Sequence, residues 1–167
     1  MALVLCSGEL DKALACMNIA VGGASMGMEV IVFATFFGLN AFRRDGVAPA
    51  PAAGEEPRRV GLFGARFIRR VFAYLNPGGG GRLNPSRFSF GGLGRRLMAY
   101  LMRDSRMAHL DELIPLGAKL GVRYIACTTS LEALGIPRTN LRPEVTTFAG
   151  VATFLADALE SDVQLFI

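Results

Sequence analysis

The chain has 167 residues, 51% of them hydrophobic, with 20 glycines, 12 phenylalanines and no tryptophan. That length and apolar content suit the core of one ordinary domain and exclude wholesale disorder, and three cysteines are too few for a disulfide scaffold. The odd, sparse set of Cys6, Cys16 and Cys127 fits a reducing compartment, so the expected location is cytoplasmic, and the opening Met1–Leu5 lacks the basic leader of an export signal.

In chain order, the apolar run from Ala2 to Cys6 reads as a strand that ends at Ser7-Gly8, and Glu9 and Asp11 supply an acidic first helical turn. Leu10, Ala13, Leu14, Met17, Ala20, Val21 and Ala24 recur at steps of three and four, which predicts a helix stopped at Gly27. Residues 28–37 are expected to form a second strand, because Val30-Ile31-Val32-Phe33 has no polar alternation and suits burial on both faces. From Met17 to Leu39 the sole charge is Glu29, a stretch long enough to cross a bilayer. Gly22, Gly23 and Gly27 interrupt it and Glu29 would sit near its centre at a cost of about 3 kcal/mol, so a buried helix and strand are favoured over a membrane span.

Residues 47–57, rich in proline and alanine, read as a surface loop, and residues 60–75 as a basic amphipathic helix. A second loop is expected over residues 76–86, then helices over 93–102 and 110–120, the latter ended by Gly121. Residues 122–126 predict a third strand, 129–134 a short helix, 145–148 a fourth strand, 150–159 a helix and 163–167 a last strand. Strands alternating with helices imply right-handed crossovers and an α/β fold with a mostly parallel five-stranded sheet.

Cys127 is the candidate reactive group. It closes a strand, and Thr129 and Glu132 have capping-box spacing, so the thiol is expected at a helix N-terminus, where free N–H groups favour a thiolate. In open parallel sheets this carboxyl edge is also where ligand clefts form. The competing reading is a small core filler, the common role of an unpaired cysteine. Cys6 ends the first strand at the same edge, which makes it a candidate resolving thiol, although a bystander role is the favoured reading, whereas Cys16 falls among Ala13, Met17 and Ala20 and reads as packing. Thr128, Thr129 and Ser130, together with Gly91, Gly92, Gly94 and Arg95, are candidate residues for contacting a substrate or partner. Gly91-Gly92-Leu93-Gly94 would offer backbone amides to an anion but lacks the dinucleotide and Walker patterns. With His109 the single histidine, no metal site is expected and no cofactor is implied.

Residues 58–106 hold eleven arginines and one acid, Asp104, whereas the rest of the chain is net acidic. Such a segment suits an anionic sulfur compound, an acidic partner or a polyanion, and the equal alternative is a solvated face with no ligand. Phe63, Phe67, Phe72 and Tyr74 stand at helical spacing, which points to packing and disfavours nucleic acid.

The motifs Phe33-Ala34-Thr35-Phe36-Phe37-Gly38-Leu39-Asn40, Ser89-Phe90-Gly91-Gly92-Leu93-Gly94 and Ala126-Cys127-Thr128-Thr129-Ser130-Leu131-Glu132-Ala133-Leu134-Gly135-Ile136 together resemble the DsrE/DsrF/DsrH-like family. The opening Ser7–Ala13 and the stretch from Phe148 to Leu155 match the same group, so the resemblance spans nearly the whole chain. Thr129, Leu131 and Leu134 depart from it, standing where the family often carries methionine. The resemblance implies a three-layer α/β/α flavodoxin-like fold, a single domain over residues 1–167 with a basic loop and helix insertion at about 43–106, and homo-oligomers. It also implies sulfur trafficking, with Cys127 carrying persulfide sulfur between donor and acceptor proteins or small sulfur compounds. On this reading the chain is a carrier or sulfurtransferase; the alternatives are a thiol-dependent peroxidase or reductase and a non-enzymatic oligomeric module that uses its arginine-rich surface.

Overall fold

The structure, a computed structural model, describes residues 1–44, 78–85 and 93–167. Its strands are β1 (Ala2–Leu5), β2 (Ile31–Ala34), β3 (Arg123–Cys127), β4 (Val145–Ala149) and β5 (Gln164–Phe166), all parallel, in the spatial order β4-β3-β2-β1-β5. The helices are α1 (Leu10–Ser25), α2 (Leu93–Asp104), α3 (Leu110–Lys119), α4 (Thr128–Leu134) and α5 (Val151–Leu159).

Strand order and handedness together explain the layers. From β1 through β4 each step moves to the neighbour on the same side, so right-handed crossovers keep the intervening helices on one face. The step from β4 to β5 runs back across the whole sheet and carries α5 to the other face, giving the three-layer α/β/α flavodoxin-like arrangement. Side-chain alternation follows suit. Leu3, Leu5, Val32, Ala34, Tyr124 and Ala126 face α1 and α3 in the larger core. Ala2, Ile31, Phe33, Ile125 and Cys127 face α5 in a smaller one with Phe154 and Ala158. Phe154 stacks on Phe33 with ring centroids 4.7 Å apart.

In the larger core Tyr124 donates its hydroxyl to the Ile114 carbonyl at 3.0 Å, and a Cβ at Gly117 would collide with that hydroxyl. The α3 backbone therefore approaches β3 closely only because residue 117 is glycine.

The second strand is shorter than the expected residues 28–37. Its neighbours β1 and β3 pair with four residues only, Ile31–Ala34, and the chain then turns into a 3₁₀ helix over Phe36–Phe42. The turn is made by Phe36 at φ 44° and by Gly38, whose N–H donates to the carbonyls of Cys6 and Thr35, each at 2.9 Å. A Cβ at Gly38 would strike the Leu5 carbonyl. Leu39, Ala41 and Phe42 are buried by this turn instead of by a longer ladder. The expected loop over residues 47–57 and helix over 60–75 lie outside the described residues. Of the loop expected over 76–86, residues 78–85 are held to the body: Gly79 donates its N–H to Asn40 at 2.8 Å and Asn84 accepts from Leu10 at 3.0 Å.

Candidate functional site

Cys127 is the last residue of β3 and also the N-cap of α4, so strand passes into helix with no linker. The helix starts at Thr128, one residue before the expected start, and Thr129 and Glu132 lie within it. The capping box read from their spacing is therefore not formed. The first-turn N–H groups, which have no partner within the helix, are left to polarise whatever side chain stands at the N-cap, and here that is sulfur.

Four donors act on the Cys127 thiol. Burial opposes its ionisation, but the Ser130 hydroxyl and N–H, the Thr35 hydroxyl and the Thr129 N–H outweigh that, so its pKa lies below the ordinary thiol value of 9.0. Ser130 Oγ and Thr35 Oγ1 are also 2.9 Å apart. The residue is 2% exposed. Beside it in chain and register, however, Thr35 and Thr128 are half-buried and Thr129 is exposed, so the residue lies near the sheet rim. Ala149 pairs with Cys127 across the sheet and Gly150 follows as the N-cap of α5, so a second helix starts from the same rim.

Thr35 is the member that sequence reading did not single out. It follows β2 by one residue, as Cys127 follows Ala126, and the register Ala34↔Ala126 sets the two side by side. Its N–H donates to the Leu5 carbonyl at 3.0 Å, which fixes the backbone from which the hydroxyl projects. The signal was present in the position just past an apolar strand, but it becomes meaningful only once β2 and β3 are known to be neighbours.

Of the other expected residues, Thr128, Thr129 and Ser130 form the first turn of α4 beside the thiol, with Ser130 3% exposed. Cys6 follows β1 at the same carboxyl edge, its N–H donating to Ile167 at 2.8 Å. Since β2 lies between β1 and β3, Cys6 is two strand spacings from Cys127, about 10 Å. Disulfides need Cα atoms within about 7 Å, so direct bonding of the pair would require backbone movement. Beside Cys6 a shallow cleft is lined by Ser7, Gly8, Glu9, Phe37 and Asn40. Gly94 and Arg95 belong to α2, an element separate from those that build the Cys127 site, and Gly91 and Gly92 lie outside the described residues. Among the described residues no cluster of three or more His, Cys, Asp or Glu side chains suits a metal ion, and no helix is long and apolar enough to cross a membrane.

Comparison with known proteins adds an independent line. The model of the DsrE/DsrF/DrsH-like family matches residues 1–166. An uncharacterized protein, YrkE of Bacillus subtilis (strain 168), is 33% identical over 165 residues, covering 99% of this chain and 94% of its own. The sulfur carrier protein DsrE2 of Allochromatium vinosum is 26% identical over 167 residues, covering 100% of this chain and 97% of its own.

Proposed function

Because the chain belongs to the DsrE/DsrF/DrsH-like family, we propose that it is a sulfur-relay protein that carries sulfane sulfur as a persulfide on Cys127 and hands it to an acceptor. The observation that carries this reading is a thiol drawn toward its thiolate by four donors although it is almost covered. The thiolate is the sulfur nucleophile, and a perthiolate is held by the same donors. The likeness to a protein named as a sulfur carrier supports the same chemistry.

In loading, the Cys127 thiolate attacks a terminal sulfur of a polysulfide dianion. A new S–S bond forms as the polysulfide bond breaks, and the shortened polysulfide leaves with the electron pair. In unloading, an acceptor thiolate attacks the outer sulfur of the persulfide and Cys127 departs as thiolate, so both steps balance without an added oxidant or reductant. Reactants would come in from the rim, past Thr35 and Thr128. A peroxidase would instead need a second thiol within reach of Cys127, which the separation of Cys6 does not favour.

The test is mass spectrometry after exposure to polysulfide. The reading requires a gain of about 32 Da, one sulfur atom, on the Cys127 peptide, absent in Cys127→Ser and lost on addition of an acceptor thiol. An adduct confined to Cys6, or none, would defeat it.

A further inference from the structure

The two faces of the sheet are covered unequally. Among the described residues, α1, α2, α3 and α4 all send side chains into the larger core, whereas α5 alone covers the other face and buries only Phe154 and Ala158. Val151, Leu155 and Leu159 follow at steps of four, a ridge along the whole of α5, and are 52%, 53% and 86% exposed. Ala152 and Ala156 run beside the ridge, also exposed, and their small side chains let a second helix come close. Asp157, on the opposite flank of α5, pairs with Arg123 of β3 at 3.1 Å, so the ridge faces the side of β1 and β5. There Gln164 of β5 donates to the Ala158 carbonyl at 2.7 Å. Phe166, in register with Val4, which packs on the smaller core, stands 75% exposed. The ridge, the two alanines and Phe166 thus form one apolar strip. Covering it would remove on the order of 500 Å² from water. A homodimer interface of standard size buries about 800 Å² per partner, about 65% of it apolar, so the strip is of dimer size.

The charge on α5 is lopsided in a way that a second copy corrects. Its N-cap is Gly150, which has no side chain to cap it, and its first turn has no acid. Its last turn has no base and is followed by Glu160 and Asp162, both exposed. Acids at that end oppose the dipole of their own helix. A second α5 laid antiparallel sets those acids near the open amino end in both copies, so a mismatch within one chain becomes a match between two. We propose that α5 is the interface of a two-fold homodimer, packed antiparallel on α5 of a second copy with Leu155, the middle residue of the helix, nearest the axis. Leu159 then lies over the partner's Val151, and Phe166 closes the strip on the β5 side. The inference is independent of the sulfur-relay reading.

The experiment is sedimentation equilibrium of the full chain at micromolar concentration. It is expected to give twice the 17.9 kDa chain mass, or an even multiple of it. Leu155→Glu sets two carboxylates against each other at the axis and is expected to halve that mass, as is Leu155→Lys. An equimolar mixture of the two variants is expected to recover the assembly, because residue 155 meets itself only across a two-fold. Leu97→Glu on α2, at a side chain 56% exposed but away from α5, is the control and is expected to leave the mass unchanged. Urea titration checks that each variant is folded; should a variant at position 155 not fold, Leu159→Glu is read by the same halving of mass. A monomeric wild type, an odd number of copies, an assembly that survives Leu155→Glu, or a mixture that stays dissociated overturns the proposal.

Discussion

Cys16 on α1 and Cys127 at the end of β3 are almost equally hidden, at 0% and 2% exposure, yet their pKa values are shifted in opposite directions. Cys16 belongs to the larger core, and burial pushes its pKa up to about 12. Cys127 belongs to the smaller core and also feels burial, but hydrogen bonds from Ser130, Thr35 and Thr129 reverse the outcome. The difference lies in which groups face the sulfur. Within α1 the backbone N–H groups are consumed by the helix itself, and burial sets the shift of the Cys16 thiol. At a strand-to-helix junction the first-turn N–H groups are unspent, and two hydroxyls stand beside them. Concealment therefore does not decide whether a thiol is inert; local donors do.

The largest expected contrast is in sulfur uptake. Cys127→Ser should abolish the adduct seen by mass spectrometry, whereas Cys16→Ala should keep it; uptake lost in both would mean that the two thiols do not differ as argued. Next comes the support of the smaller core. Phe154→Ala removes the ring stacked on Phe33 from α5 and should lower unfolding stability in urea by about 3–5 kcal/mol. A loss below about 1 kcal/mol would show that α5 does not hold that face.

Ser130→Ala deletes one donor to the thiolate and should slow Cys127 alkylation at pH 7 roughly tenfold while leaving Cys16 unreactive. A rate that stays the same would assign the thiolate to Thr35 and the backbone amides.

The last contrast is a pH trend, which is small near neutrality and grows above pH 9.0. Cys16 has an unfolded value near 9.0 and a folded value of about 12, so in that window the native state keeps a proton that the unfolded chain releases. Stability should fall as pH rises through it, and Tyr124, also raised by burial, adds to the loss from pH 10.0 upward. Cys127 has the opposite sign: its contribution is present above pH 9.0 and is lost as pH falls through its lower folded value. Cys16→Ala should flatten part of the alkaline decline, at a packing cost of about 0.5–1.5 kcal/mol near neutrality. Denaturant titrations from pH 8 to 11 measure both.

Much of the fold was legible because it rests on local periodicity. The three-and-four spacing of α1 and the apolar runs of β1 and β3 identify elements within a residue or two. The second strand was read too long because Phe36-Phe37 continues an apolar run. Only the short ladder offered by β1 and β3, and the contact of Gly38 with Leu5, end it at Ala34. The capping box failed for a related reason: spacing locates a helix start to within a residue, and the chain entered α4 directly from the strand.

By itself the sequence determined that strands and helices alternate and that Cys127 closes a strand before a helix, since both depend on neighbours within a few positions. Tertiary structure alone decided that β2 lies between β1 and β3. That order sets Thr35 against Cys127, holds Cys6 a further strand away and directs the thiol to the face covered by α5. The physical reason is that hydrogen bonds to a sulfur depend on separations of a few ångströms across strands, and strand order, which chain position does not encode locally, sets those separations.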